Sequence, residues 1–372
     1  MKLVVERATI LKALGHVHSV VERRNTIPIL SNVLLIAEPA GLRLMATDLD
    51  LQIVETIEAT VEVEGATTVS AQTLFDIVRK LPEGSQVSLA QSERRVTVTA
   101  GRARFQLQTL PREDFPVIAD GDFPVSFTLP AETLRDMIDK TRFAISLEET
   151  RYYLNGIFLH APAVAAGGRP VLRAVATDGH RLARVEVDLP EGASGMPDVI
   201  VPRKCVAEVR KLLDERDGPV GIGLSQSKIR FSIGDAVLTS KLIEGSFPDY
   251  SRVIPTANDR LLRIDPNTLA EGVDRVTAIA SDKTRAVKLS LDRDRVTLSV
   301  TSPENGTASE DIPAVYGAPV FDVGFNSRYL LDILGQVSGD EVEVHLADAA
   351  APTLIRENEG SNALYVLMPM RV

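Results

Sequence analysis

The chain has one cysteine, Cys205, and no tryptophan among its 372 residues. A single thiol excludes an internal disulfide and a multi-cysteine zinc site, and it fits a reducing compartment. Aromatic residues make up only 5%, too few for a large aromatic ligand cage. No apolar run approaches the roughly 18 residues of a membrane span. Glu6, Arg7 and Lys12 interrupt the N-terminal apolar residues, so no signal peptide is expected and the expected location is cytoplasmic. The motifs G-x-S-x-G and H-E-x-x-H and a Walker glycine loop are also missing, which removes the usual signatures of a serine hydrolase, a zinc protease and a nucleotide site. No metal or cofactor is expected. Positive charge is not in excess: the formal net charge of −10 argues against phosphate binding over the whole surface and leaves room for a local basic face.

What is present is ordinary soluble material, 44% hydrophobic and 25% charged, in a chain long enough for several domains. Its phrases repeat at long intervals. Leu30-Ser31-Asn32-Val33-Leu34-Leu35 returns in kind as Leu154-Asn155-Gly156-Ile157-Phe158-Leu159, and Ala46-Thr47-Asp48 as Ala176-Thr177-Asp178. V-S-A-Q-T-L-F-D-I-V-R-K-L (69–81) pairs with V-P-R-K-C-V-A-E-V-R-K-L-L (201–213), and Phe115-Pro116 with Phe247-Pro248. A fainter third copy runs through A-V-K-L-S-L (286–291), R-V-T-L-S-V-T-S (295–302), F-N-S-R-Y-L-L-D-I-L-G (325–335) and A-L-Y-V-L-M-P-M (363–370). A period this long means tandem domains rather than a solenoid of short repeats. The boundaries fall at 1–120, 126–250 and 251–372.

Within a unit the pattern is mixed. Ile10, Leu11, Leu14, Val17 and Val21 recur at helical spacing over 7–24. V-S-L-A and R-R-V-T-V-T-A (87–100) alternate with period two, as half-buried antiparallel strands do. Pro130-Ala131-Glu132 and Asp265-Pro266-Asn267 read as helix starts. Two helices and many short strands per unit give an α+β class with antiparallel sheets.

N-T-I-P-I-L-S-N near position 30, R-Y-Y-L-N-G, T-D-G-H-R-L-A, F-P-D-Y and the terminal Y-V-L-M-P-M-R-V together resemble the bacterial sliding-clamp family, the β subunits of the DNA polymerase III holoenzyme. The resemblance covers essentially the whole chain. It implies a processivity factor without a catalytic site: a head-to-tail homodimer ring with sheets outside and helices lining the hole, threaded by duplex DNA without regard to sequence. It also implies partners that dock through short clamp-binding peptides: the polymerase III α subunit, the clamp loader δ subunit, other polymerases, and repair or regulatory proteins.

A ring needs two complementary ends. The resemblance places the interface at Arg102, Arg104, Phe105 and Leu107 on one side, and at Ile279, Ala280, Glu304, Glu310 and Asp311 on the other. Ala280 is smaller than the leucine expected there. DNA contacts carried over from the family are Arg24, Tyr152, Tyr153, Arg203 and Lys204. Glu148 stands where a neutral polar residue is expected. Basic residues on the first helix (Arg7, Lys12, Arg23, Arg24) and on the later helix of the second unit (Arg203, Lys204, Arg210, Lys211) suggest an unevenly basic lining.

The shared Ala-Thr-Asp reads as a turn-former, because Thr and Asp bond nearby backbone groups. Only the second copy continues into Gly179-His180-Arg181-Leu182, so that continuation requires a function. A hydrolase using Asp178 and His180, a purely structural histidine, and a repeat scaffold that never meets DNA are the competing readings. The resemblance favours a peptide site built from Leu154, Thr177, Gly179, His180, Arg181, Leu182, Pro248, Arg252, Val253, Asn326, Tyr329, Val366, Met368, Pro369, Met370 and Arg371. Leu154, Leu182, Val253, Val366, Met368 and Met370 would form an apolar floor, Gly179 would let the ligand approach, and the His180, Arg181, Arg252 and Arg371 side chains would bond its carbonyls or polar side chains. Ser251 and Pro352 depart from the family pattern beside this site. Cys205 reads as a small packed residue.

Overall fold

Residues that alternate apolar and polar form antiparallel strands here, and those with helical spacing form six α-helices among the described residues: α1 (Arg7–Val20), α2 (Ala71–Lys80), α3 (Ala131–Arg142), α4 (Arg203–Asp214), α5 (Pro266–Thr277) and α6 (Ser327–Leu334). That is two per sequence repeat. The computed structural model describes residues 1–21, 26–119, 121–164, 168–280 and 285–372.

Helix starts follow local chemistry. The Glu6 carboxylate accepts from Thr9 N at 2.9 Å and Asp265 from Thr268 N at 2.5 Å, satisfying donors that a first turn leaves open. Pro266 follows Asp265 at the first helical position. Ile10, Leu14 and Val17 of α1 are buried as the spacing predicts. The helix stops at Val20, however, with Val21 already extended as its C-cap, so it is shorter than the 7–24 expected.

The chain forms two compact units: Met1–Arg135 with Pro190–Pro197 and Lys204–Leu242, and Asp136–Leu189 with Asp198–Arg203 and Ile243–Val372. Within each unit, strand pairing joins elements of different repeats. In the first unit, Ala236–Lys241 of the middle repeat pairs antiparallel with Leu51–Ile57 of the first, Leu238 facing Ile53, within one 13-stranded sheet. In the second, Arg181–Asp188 pairs with Ala363–Leu367, Leu182 facing Val366, within a nine-stranded sheet. The second unit also holds a four-stranded sheet ordered Gly306–Pro313, Arg295–Ser302, Ala286–Asp292, Phe321–Asn326.

The first unit contains a line of alternating charges that the sequence reading did not anticipate. His16 and Glu55 are both buried. His16 Nδ1 lies 2.7 Å from Glu55 Oε2, and its Nε2 lies 3.2 Å from Glu215 Oε2. Arg216 meets the other Glu55 oxygen at 2.5 Å, and Lys12 meets Glu215 at 3.2 Å. Burial alone would push the imidazole down. The hydrogen bond to Glu55 and the charges of Glu55 and Glu215 outweigh it and hold His16 above its usual value.

A raised folded value means that the stabilisation is full below about pH 6.5 and is lost as pH rises through that folded value. The thermal midpoint of the protein should fall over that range. His16→Gln should be less stable than the parent at about pH 6 and approach it near about pH 9. Parallel scanning calorimetry checks this, and a pH-independent difference would contradict it.

Candidate peptide-docking site

The two Ala-Thr-Asp copies build the same turn. In the first, Leu49 N–H donates to Thr47 Oγ1 (3.0 Å), and Asp50 N–H and Leu51 N–H donate to Asp48 Oδ1 (3.0 and 2.7 Å). In the second, Gly179 N–H donates to Thr177 Oγ1 (3.1 Å), and His180 N–H and Arg181 N–H donate to Asp178 Oδ1 (2.9 and 3.0 Å). Leu49 and Gly179 both take left-handed backbone, φ 83° and 88°. The shared triplet is therefore a backbone device. Asp178 spends its other oxygen on Arg181 Nε (3.1 Å), so both of its carboxylate oxygens are bonded within the turn.

The second turn lies beside the C-terminal segment. Met368 N–H donates to the His180 carbonyl (2.9 Å), and Met370 N–H donates to the Gly324 carbonyl (2.8 Å). Gly324 is required at that crossing, because a Cβ would collide with Val372 and with the Met370 carbonyl. Beneath the turn, Leu182 and Val366 pack with Val175 and Tyr250 in a buried apolar cluster, with Phe158 and Phe247 against it. Met368 and Met370 remain 36% and 40% exposed and Val253 46% exposed. Pro248, Arg252, His180 and Arg371 are exposed as well, whereas Tyr329, Asn326 and Pro369 are half-buried. The His180 ring lies near-parallel to the Tyr329 ring, centroids 6.2 Å apart. Asn326 caps α6 by accepting from Arg328 N and Tyr329 N (3.1 and 3.3 Å).

Several side chains differ from the roles expected of them. Arg181 is buried and its guanidinium is committed inward, to Asp332 (2.5 Å), the Phe143 carbonyl (2.6 Å) and Asp178, and it lies over the Tyr329 ring at 4.3 Å. It fastens the turn to α6. Thr177 is buried too, its hydroxyl donating to the Arg181 carbonyl (2.7 Å). Leu154 is buried, behind the exposed apolar residues rather than among them. Gly179 is exposed with Arg151 beside it: Arg151 Nη1 sits 2.6 Å from where a Cβ would stand, and Arg151 Nη2 donates to the Asp178 carbonyl (2.8 Å). The sequence reading missed Arg151, Phe143, Asp332 and Tyr250. R-Y-Y and F-P-D-Y held two of them in plain view, but nothing in the sequence gave their partners.

The residues carried over as DNA contacts are also differently placed. Tyr152 and Tyr153 lie on a 3-10 turn, Glu149–Leu154, not on a strand. Tyr152 is 55% exposed, Tyr153 half-buried, and their rings meet edge to face at 5.8 Å. Arg203 is exposed, and its N–H donates to the Asn155 carbonyl (3.0 Å), which ties the start of α4 to that turn. Lys204 is turned inward instead, its ammonium bonded to the Asp48 carboxylate and to the Val20 carbonyl (3.0 Å). Glu148 pairs with Arg151 at 2.8 Å. Arg24, like Arg23, lies outside the described residues. The basic residues of α1 and α4 are largely engaged locally. Arg7 donates to the Val78 and Arg79 carbonyls at the end of α2, Lys12 meets Glu215, Lys211 meets Glu208 (2.7 Å) and Arg210 meets Asp214.

Two strands carry the residues expected at an interface. Ala103–Leu110 joins its neighbour Gly65–Ser70 only at Thr109 and Leu110, so the edge beside Arg104, Phe105 and Leu107 is open. Arg102 and Arg104 are exposed and Phe105 is 36% exposed. Gly306–Pro313 is the edge of the four-stranded sheet. Glu304 and Asp311 are exposed there, while Glu310 holds Arg275 through two bonds (2.7 and 3.0 Å). Ile279 and Ala280 are half-buried. Cys205 is fully buried, and burial pushes its thiol up to about 12, which leaves it chemically quiet. Among the described residues no helix is long and apolar enough to cross a membrane.

The comparisons with known proteins agree along the chain. Residues 1–119, 128–249 and 251–371 match the N-terminal, central and C-terminal domains of the DNA polymerase III beta subunit. The beta sliding clamp of Caulobacter vibrioides is 51% identical over 374 residues, and that of Escherichia coli K12 is 38% identical over 375; both alignments cover 100% of each chain. A sliding clamp from Bartonella birtlesii solved with griselimycin superposes with a TM-score of 0.97 at 51% identity, again over 100% of each chain. One from Pseudomonas aeruginosa solved with a ligand gives 0.92 at 38%, with the same coverage. Three tandem α+β domains with antiparallel sheets and full-length identity lead to one conclusion: the chain belongs to the beta sliding clamp family, the DNA polymerase III beta subunits.

Proposed function

We propose that two copies of this chain close head to tail around duplex DNA and hold the replicative polymerase to its template by enclosure. In this reading the chain is three domains, 1–120, 126–250 and 251–372, works in the cytoplasm, and has no catalytic centre or cofactor of its own. The observation that carries it is the pair of open strand edges, one presenting Arg102, Arg104 and Phe105 and the other Glu304 and Asp311. Open edges invite pairing with another chain, and edges of opposite charge select each other. Ile279 and Ala280 would add apolar contact.

Enclosure also accounts for the electrostatics. A linked ring needs no tight phosphate contacts, which would slow sliding and make binding steeply salt-dependent. The internal pairing of Lys12, Lys204, Arg210 and Lys211 leaves little free positive charge on those helices. Tyr152, Tyr153 and Arg203 are the contacts best placed to touch DNA, without reading sequence; Arg24 is carried over by resemblance alone.

The surface around His180, Tyr329, Val253, Met368 and Met370 docks short peptides of the polymerase α subunit, the clamp loader δ subunit, and other polymerases and repair or regulatory proteins. Exposed methionines beside a buried apolar floor suit several partners in turn. Burying ~300 Å² of apolar ligand surface at ~25 cal/mol/Å² supplies about 7–8 kcal/mol before association costs, which leaves micromolar or weaker binding and allows exchange. The test of the whole reading is to load the protein on nicked circular duplex with its loader and ATP, then cut the circle. Release on cutting is expected, and retention contradicts enclosure.

A further inference from the structure

The wall segment of the docking site is held from below by two rings and a hydroxyl. Pro248, Arg252 and Val253 all belong to the stretch Phe247–Val253 and are exposed, and Arg252 pairs with Asp249 of the same stretch at 2.8 Å. Two rings moor the stretch. Phe247 lies flat on Phe158, centroids 4.7 Å apart and planes 4° apart, and Phe158 lies on His160 at 4.4 Å. Tyr250 is buried, with its ring in the cluster that contains Leu182 and Val366. Its hydroxyl sits between Arg173 Nη1 (2.7 Å) and His160 Nε2 (2.9 Å).

The chemistry of these groups fixes the direction of the bonds. A guanidinium only donates, so the Tyr250 oxygen accepts from Arg173. Among the described residues the Tyr250 O–H then has one acceptor in reach, His160 Nε2, which must carry no proton. Arg173 is itself held by Glu186 at 2.5 Å. Burial pushes His160 down to about 4, consistent with a neutral ring at neutral pH.

We propose that His160 and Tyr250 are positioning residues of the docking site, and that the relay from Arg173 through the Tyr250 hydroxyl to His160 Nε2 sets the wall Phe247–Val253 against the floor at Leu182 and Val366. The inference rests on the docking reading and adds to it two residues that touch no ligand. Neither is among the site residues the family resemblance supplied.

The experiment measures binding of a labelled peptide carrying the clamp-binding segment of the polymerase α subunit to the full-length protein, by fluorescence anisotropy. Tyr250→Phe and His160→Leu should each weaken binding about tenfold, because each leaves a buried polar group unbonded. His160→Gln should bind within about twofold of the parent, because its amide oxygen can accept the same hydroxyl. A merely structural role would lower the melting point of the Leu and Phe variants and leave affinity alone, which overturns the proposal. Nitrogen chemical shifts of His160 in the unaltered protein give a measurement that does not depend on variant folding. A bare Nε2 with the proton on Nδ1 is expected, and a protonated Nε2 overturns the relay. If the parent itself binds no peptide, the docking reading fails first. If the parent binds and the variants match it, only the positioning role fails.

Discussion

Removing Met368–Val372 strongly weakens peptide docking and leaves two-chain assembly intact. The tail contributes the side chains of Met368 and Met370, 36% and 40% exposed, and a ligand that covers the exposed part of each gains about 0.5–1 kcal/mol per side chain. Losing both, together with Pro369 and Arg371, weakens binding by at least about tenfold at about 1.4 kcal/mol per tenfold. The fold should survive the cut, because the sheet strand ends at Leu367 and the segment beyond it is held by two backbone bonds, to His180 and Gly324. The strand edges that would form the ring contain none of the deleted residues. Peptide anisotropy and sedimentation equilibrium on the same preparation check both halves. Unchanged peptide affinity in the truncated protein would remove the docking assignment.

The second large effect is at the proposed interface. Phe105→Asp sets a carboxylate against the edge strand that carries Asp311 and the turn before it that carries Glu304, and it removes the exposed ring from the apolar part of the contact. A closed head-to-tail pair contains the same contact twice, so every substitution is felt twice. A cost of about 2 kcal/mol per contact, typical of a central aromatic anchor, becomes about 4 kcal/mol for the ring, near a thousandfold in dissociation constant. The parent should sediment as a dimer at micromolar concentration and the variant as a monomer of unchanged stability. A variant that stays dimeric places the interface elsewhere.

The sequence made the backbone-level features legible. Helix starts at Glu6 and Asp265, the alternating strands and the Ala-Thr-Asp turn are local events, decided by a few neighbouring residues. Side-chain commitments over long separations were not legible. Arg181 looks like a ligand-binding cation because its partners, Phe143 and Asp332, lie 38 and 151 residues away. Lys204 looks free for the same reason, since its partner Asp48 is 156 residues distant. Glu55, on which His16 and Arg216 converge, sits in a strand that reads as ordinary until the pairing with Ala236–Lys241 brings the middle repeat beside it. Tyr152 and Tyr153 are named by the R-Y-Y motif alone, and nothing local in the sequence announces the 3-10 turn Glu149–Leu154 on which they stand. Charge and aromatic content indicate which side chains could act, and only tertiary contact decides which are already occupied.

Two identical chains gripping the double helix topologically, with scant reliance on ionic attraction, is the claim on which the rest depends. It is tested most directly by protein loaded onto nicked circular duplex and followed through a restriction cut at a salt concentration that strips ordinary DNA-binding proteins. Full retention on the intact circle, escape after the cut, and retention again when both new ends carry a bulky protein block are the predicted results. Loss from the intact circle at that salt, or persistence on open-ended linear duplex, would contradict it.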